Sequence, residues 1–513
     1  MTAPTVIPAA LAAAVQAGFG GYVDRDVDYS LADVEAASGR LATAFLDMGL
    51  KHGDRLALIA LNQIEWLQAF FAATRIGVVV VAPSVRYRRA EFDYMLNDAG
   101  VTTVVCLSEL DGFSYRALFA EMKEALPRVE RFIYIGEGGD FDRLAATPAD
   151  PARLAAVSVA PDDLAMVIYT SGTTGRPKGA GLTHGSLLRS AAAQAGHTGM
   201  VPGDHLKVAL PLNHVGGITC SILAALLSGA SCELVPVFRP DIVIGMAMRR
   251  PPTVLTGVPT MLTLLLMNPG FAGIDRLRIR LLIVGGSNVE PSLLMRLRDA
   301  LPNAAMMNLY GLSETSGAIV MTPRDATVDQ VLGPIGRPLP GATLRIVAAD
   351  GTELPMGEIG ELRFKGAGVI PGYIGAASAD QPFDDHGWLR TGDLGYVDAE
   401  GMIHLMGRAK EMYIQGGYNV YPAEVENLIA RLPGIVTVAG IGVPDPVLGE
   451  VGRYYIVGRE DGAPTAEQVL DHCRQNLADY KLPRQIVFRR DLPLTPAGKV
   501  QKAALREEAL RGD

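Results

Sequence analysis

From Tyr169 to Gly179 the chain reads Tyr-Thr-Ser-Gly-Thr-Thr-Gly-Arg-Pro-Lys-Gly, a run of hydroxyls and glycines with one lysine in a turn-forming stretch. Glycine lets a backbone come close to a bulky anion, and the hydroxyls and amides supply donors. Lysine adds a mobile point charge suited to a polyphosphate. The pattern is not G-x-x-x-x-G-K-[ST], because Gly179 follows Lys178 and Gly175 stands at the wrong spacing. Thr170, Ser171, Gly172, Thr173, Thr174, Gly175 and Lys178 therefore read as a phosphate loop of another kind. A flexible Gly/Ser/Thr linker fits poorly. A strand-like apolar run (Leu164 to Tyr169) enters the segment, and a helix-like run (Gly185 to Ala195) follows it.

Four further clusters carry chemistry. In Asn308-Leu309-Tyr310-Gly311-Leu312-Ser313-Glu314-Thr315, an aromatic face suits a purine and a carboxylate suits Mg²⁺ held against phosphate oxygens. Asp393, in Thr391-Gly392-Asp393, suits the two hydroxyls of a ribose, although an Asx turn explains it equally well. The stretch from Gly407 to Glu426 runs from a charged turn (Arg408, Lys410) through a strand to the pair Gly416-Gly417 and then a helix. Lys499 lies in a Gly/Pro loop, Pro493 to Lys502, where an ordinary solvated lysine is the plain alternative.

The elements that must position these residues alternate. Arg55 to Leu61 reads as a buried strand, Glu65 to Arg75 as a helix and Gly77 to Ala82 as the next strand, a βαβ unit with parallel strands. Arg280 to Gly286 is another buried strand, and Glu290 to Leu301 its helix. From Gly341 to Tyr373 alternation and Gly/Pro turns predict an antiparallel or barrel-like section. After Arg408 a small α+β unit of about a hundred residues follows.

At 513 residues, at least two domains are expected. A net charge of −9 argues against a nucleic-acid partner. The scattered Cys106, Cys220, Cys232 and Cys473 lack metal-ligand spacing and fit reduced cytoplasmic thiols. Neither a signal peptide nor a membrane-spanning run is expected.

Together and in this order, the five segments resemble the adenylate-forming superfamily: acyl-CoA synthetases, non-ribosomal adenylation domains and beetle luciferases. The resemblance runs over nearly the whole chain. It implies an α/β fold with a large N-terminal domain (1–407) of mixed and parallel sheets, and a small mobile α+β domain (408–513) hinged near Lys410. It implies an AMP-forming acid–CoA ligase using ATP, Mg²⁺ and CoA: a carboxylic acid attacks the α-phosphate, pyrophosphate leaves, and a thiol then takes the acyl group.

By the same resemblance, Thr170 to Lys178 embraces the β- and γ-phosphates and Glu314 anchors Mg²⁺. Ser313 stands where threonine is usual. Gly285, Gly286, Ser287 and Asn308 to Gly311 form the adenine slot, and Asp393 and Arg408 the ribose clamp. Lys499 is the adenylation lysine. Gly416 and Gly417 flank the pantetheine arm, and Arg86 and Lys481 meet the charged end of CoA. The acid is bordered by His214, Gly286, Gly311, Ser316 and Gly317, with Asn213 where an aromatic is common. His214 either meets the carboxylate or is a satisfied interior histidine. The other walls, Thr256-Gly257-Val258-Pro259-Thr260 and Ser316-Gly317-Ala318, are small and neutral, which favours an uncharged aliphatic, alicyclic or aromatic acid. Loading of a carrier-protein pantetheine instead of CoA is the alternative, a non-catalytic nucleotide sensor a more distant one, and a homodimer is left open.

Overall fold

The computed structural model describes residues 4–170, 177–287, 289, 291–459, 461–495 and 499–511, with the side chains of 328 and 329 excepted. The expected βαβ unit is present. Arg55–Ile59 buries every residue after the first, as a continuous apolar run in a parallel sheet does. Helix Ile64–Arg75 lays Trp66, Leu67, Phe70 and Phe71 into the core and returns the chain to Val79–Val81. The two strands pair in parallel. They belong to a seven-stranded sheet ordered Gly372–Ile374, Lys178–Thr183, Leu164–Thr170, Val79–Val81, Arg55–Ile59, Thr103–Leu107, Arg131–Ile135.

A nine-stranded sheet runs Arg337–Pro338, Gly317–Met321, Ala305–Leu312, Leu281–Gly285, Val254–Gly257, His205–Val208, Ser231–Leu234, Gly21–Asp24, Val27–Tyr29. Helix His184–Thr198 rises from the hairpin strand Lys178–Thr183 of the seven-stranded sheet. Thr183 and Ser186 satisfy its first amides reciprocally, and Gly199 closes it at a φ of +62°. One continuous apolar core joins the two sheets.

The antiparallel section is a four-stranded sheet, Ala342–Val347, Gly360–Gly366, Leu389–Val397 and Ile403–Arg408. It meets the nine-stranded sheet through a satellite core in which Tyr310, Ile319 and Val320 face Leu362, Phe364 and Ile403. Beyond Arg408 a five-stranded sheet begins at Tyr413–Gln415, with Pro422–Ile429, Ala466–Asn476 and Lys502–Arg511 as its helices. Among the described residues no helix is long and apolar enough to cross a membrane.

Two glycines let neighbouring strands carry the site at close range. A Cβ on Gly285 would lie 2.1 Å from the Leu309 carbonyl oxygen, and one on Gly311 2.0 Å from that of Gly317. Backbone, unlike a side-chain tip, cannot swing aside. Gly285→Ala should therefore cost about 3 kcal/mol, read as a lowered urea midpoint with an unchanged slope.

Candidate active site

Strands Leu164–Thr170 and Lys178–Thr183 form an antiparallel hairpin in which Thr170 faces Lys178. The expected phosphate loop spans its tip; Ser171, Gly172, Thr173, Thr174 and Gly175 lie outside the described residues. At its base the Thr170 hydroxyl donates to the Lys178 carbonyl oxygen at 3.5 Å. The Lys178 ammonium pairs with Asp380 and stands 5.2 Å from the centre of the Tyr373 ring. Tyr373, on the adjoining strand, donates its hydroxyl to Glu314 Oε1 at 2.6 Å. Burial and then the Glu314 charge push the Tyr373 phenol well up, so it remains a donor. Glu314 itself rides on the single turn Ser313–Thr315 that ends strand Ala305–Leu312.

The purine-slot residues stand at the carboxyl ends of two parallel neighbours, where Val284 pairs with Asn308 and Gly285 with Leu309. Gly286 follows with a φ of +84°, and Ser287 is exposed just beyond it. The Asn308 amide donates to Thr322 Oγ1 at 2.8 Å. Tyr310 is more constrained than a free stacking platform. Its ring lies 6.1 Å from that of Phe364, and its hydroxyl donates to Asp393 Oδ2 at 2.6 Å. The other Asp393 oxygen takes Arg408 Nε at 3.0 Å, across neighbouring strands. Burial pushes the Asp393 carboxyl up while Arg408 pulls it down. Asp393 in turn holds the Arg408 guanidinium above its ordinary value.

Lys499 arrives from the far end of the chain on a hairpin closed by an antiparallel bridge between Leu494 and Val500, whose residues 496–498 lie outside the described residues. The Thr495 amide donates to the Lys499 carbonyl at 2.7 Å, the Lys499 amide to Thr495 Oγ1 at 3.1 Å, and Gln501 N–H to the Pro493 carbonyl at 2.8 Å. The Lys499 side chain reaches Gly286: a Cβ there would lie 4.0 Å from Lys499 Cε. Burial lowers its pKa, and Arg408 lowers it further, against the pull of Asp393 and Glu314. His214 feels the same ammonium. Burial first and Lys499 second bring its pKa to about 4, so it is neutral at pH 7. Its Nδ1 accepts the Gly216 amide at 3.1 Å and caps helix Val215–Gly217. That helix widens into a π-helical stretch, Ile218–Leu223, and Gln194 Nε2 donates to the Cys220 carbonyl in it at 2.7 Å. Such wide turns recur at functional sites.

The structure therefore brings Lys178, Gly286, Asn308, Leu309, Tyr310, Gly311, Ser313, Glu314, Asp393, Arg408, Lys499 and His214 to one region where the sheets meet. Gly317 adjoins it; a Cβ there would meet Cys220 Sγ, Ser190 Oγ and Thr219 Cγ2 at 3.1 Å each. Ser316 is not a pocket wall. Its φ of +55° turns it inward, fully buried, with its hydroxyl donating to Ser186.

Gly416 and Gly417 are exposed in a hairpin turn at φ of +60° and +87°, and a Cβ on Gly417 would touch nothing. Left-handed backbone, rather than close approach, requires glycine there in this arrangement. Lys481 is paired with Glu424 at 2.6 Å, and Arg86 is exposed in the turn after Val79–Val81. Lys410 is exposed in a turn whose Glu411 and Met412 amides both donate to the Arg408 carbonyl. Tyr373 and Asp380 were missed by sequence reasoning, since each lies far in sequence from the group it holds.

Comparison with known proteins agrees with this geometry. Residues 11–374 match the AMP-binding enzyme family, and residues 424–499 match the AMP-binding enzyme C-terminal domain. The chain is 33% identical to a feruloyl-CoA synthase of Amycolatopsis sp, over 93% of each chain. ATP-bound MatB from Rhodopseudomonas palustris superposes with a TM-score of 0.87 at 32% identity, over 98% of both chains. The anthranilate CoA ligase AuaEII, in complex with anthranoyl-AMP, superposes at 0.90 with 25% identity, over 99% of this chain and 98% of that one. The chain belongs to the AMP-binding enzyme family and is an AMP-forming acid–CoA ligase.

Proposed function

We propose that Lys499 activates the acid, Asp393 and Arg408 hold the ribose, and Gly286 with Asn308 to Gly311 receives the adenine. The convergence of Lys499 with Arg408, Asp393 and Glu314 beside Gly286 carries this reading. A carboxylate is a poor electrophile until its oxygen bonds to the α-phosphate and the bond to pyrophosphate breaks. Both reacting groups are anions, so an ammonium between them does most where charge accumulates. Arg408 and burial raise the cost of that charge. An incoming phosphate repays it.

Among the described residues no group of three His, Cys, Asp or Glu gathers to hold a metal. A single carboxylate, Glu314, steadied by Tyr373, nevertheless fits Mg²⁺, which binds through one or two carboxylates plus substrate phosphates and waters. When bound, Mg²⁺ would neutralise charge on the phosphate oxygens. Glu314 would hold it, and Tyr373 would keep Glu314 oriented.

The acid itself is an uncharged one beyond its carboxylate. Around Gly317 the neighbours are Ser190, Thr219 and Cys220, and burial pushes the Cys220 thiol up to about 12, so it stays neutral. The names of the feruloyl- and anthranilate-activating relatives support an aromatic acid first. The second half-reaction needs a thiol route to the same carbonyl. Lys410 would serve as the hinge and Gly416-Gly417 as the pantetheine contact.

A panel of aromatic, alicyclic and aliphatic acids with ATP, Mg²⁺ and CoA should yield acyl-CoA by mass spectrometry for acids without a second charge and not for dicarboxylic or α-amino acids. Lys499→Ala should abolish acid-dependent pyrophosphate release while supplied acyl-AMP is still converted to acyl-CoA; equal loss of both steps would sink the assignment. Because Lys499 acts protonated and its pKa is lowered, kcat/KM for adenylation should be full at lower pH. It should fall on the alkaline side at a pH beneath the ordinary lysine value. His214→Ala should cost about 1 kcal/mol of stability through the lost cap. His214→Asn should recover it, so activity that stays low in His214→Asn reports contact with the acid.

A further inference from the structure

The Lys499 hairpin must be held against the ribose clamp, and hydrogen bonds within the hairpin do not do that. Three residues after Lys499, the largely buried Lys502 ammonium lies 2.8 Å from Glu411 Oε2 and 2.7 Å from Glu426 Oε1. Glu411 sits in the turn that starts at Arg408, its amide bonded to the Arg408 carbonyl at 2.9 Å. Glu426, on helix Pro422–Ile429, is fixed a second time by the Gly440 amide at 2.6 Å. A continuous path of polar contacts thus runs from Asp393 through Arg408 and Glu411 to Lys502, where helix Lys502–Arg511 takes over directly from the hairpin.

We propose that Lys502 is a positioning residue, whose paired contacts to Glu411 and Glu426 set the distance between the Lys499 hairpin and the Arg408 turn. This deepens the reading of Lys499 given above and rests on it. Lys502 touches no reacting atom in this arrangement. It serves two carboxylates from different elements at once, which a lysine needed only to cap its own helix would not do. Burial alone would weaken its charge. The two carboxylates overturn that and keep the ammonium protonated. A shift of about 1 Å at Lys499 is enough to lose about 100-fold in rate.

The test compares the full-length wild type with Lys502→Met, Lys502→Arg and Glu411→Gln. Acid-dependent pyrophosphate release should fall about 10- to 100-fold in kcat in Lys502→Met, with KM for ATP nearly unchanged. Lys502→Arg should restore most of the rate, and Glu411→Gln should fall between. Conversion of supplied acyl-AMP to acyl-CoA should stay near wild type. A second reading does not depend on turnover: labelling of Lys499 by an amine-reactive ester, followed by peptide mass spectrometry, should quicken severalfold in Lys502→Met at a temperature where circular dichroism shows it folded. Wild-type rates and wild-type labelling in Lys502→Met would overturn the proposal. So would equal loss of both half-reactions, or a drop that Lys502→Arg does not rescue. A wild type that releases no pyrophosphate with any acid would instead defeat the assignment of Lys499, while the labelling would still report whether Lys502 holds the hairpin.

Discussion

Asp393 is the point on which the site turns. A carboxylate buried to that degree is costly unless both oxygens are occupied. Here Tyr310 occupies one and Arg408 the other. Tyr310 comes from the nine-stranded sheet, whereas Asp393 and Arg408 belong to the four-stranded sheet. The satellite core around Phe364 and Ile319 presses those sheets together, so apolar packing brings the three polar groups within reach and their bonds then fix its register. Arg408 is also the last residue of its strand, from which the chain leaves for the five-stranded sheet. A single buried carboxylate thereby couples two sheets at the point where the chain leaves for a third.

The electrostatics follow from that geometry. Lys499 and Arg408 are like charges in mutual range, and Glu314 and Asp393 offset them only in part. His214, neutral at the edge of the same field, adds no further positive charge. The protein has thus oriented its charges before any substrate arrives, and the folding free energy has already met the cost of holding them. The hydrogen-bonded hairpin around Lys499 serves the same end, because a free lysine side chain would have to be immobilised during the reaction.

Local chemistry was readable in the chain to an uneven degree. Buried strands such as Arg55–Ile59 and Leu281–Gly285 announce themselves by uninterrupted apolar runs, and their helices follow at the expected spacing. Asp393, Glu314 and Lys499 stood out by residue type and surroundings, but local pattern left an Asx turn or a solvated lysine as alternative readings until the order of the five segments was considered. Residues that act by holding another did not stand out. Tyr373 supports Glu314 across 59 positions, Asp380 pairs with Lys178 across 202, and Lys502 reaches Glu411 across 91. No local pattern encodes such partnerships, because they exist only once strand order is set. Ser316 shows the opposite failure. It stands beside pocket residues in sequence, yet one left-handed φ points it away.

The pairing of Lys178 with Asp380 has a consequence for the expected phosphate loop. Asp380 is a mostly exposed carboxylate paired with the lysine, which is therefore not a bare cation in this structure. A polyphosphate arriving at Lys178 would therefore exchange one counter-ion for another. The gain is only the difference between several phosphate oxygens and one solvated carboxylate, and a singly charged anion gains almost nothing by the trade. Any discrimination against small anions at Lys178 would then come from a competitor carried by the chain itself.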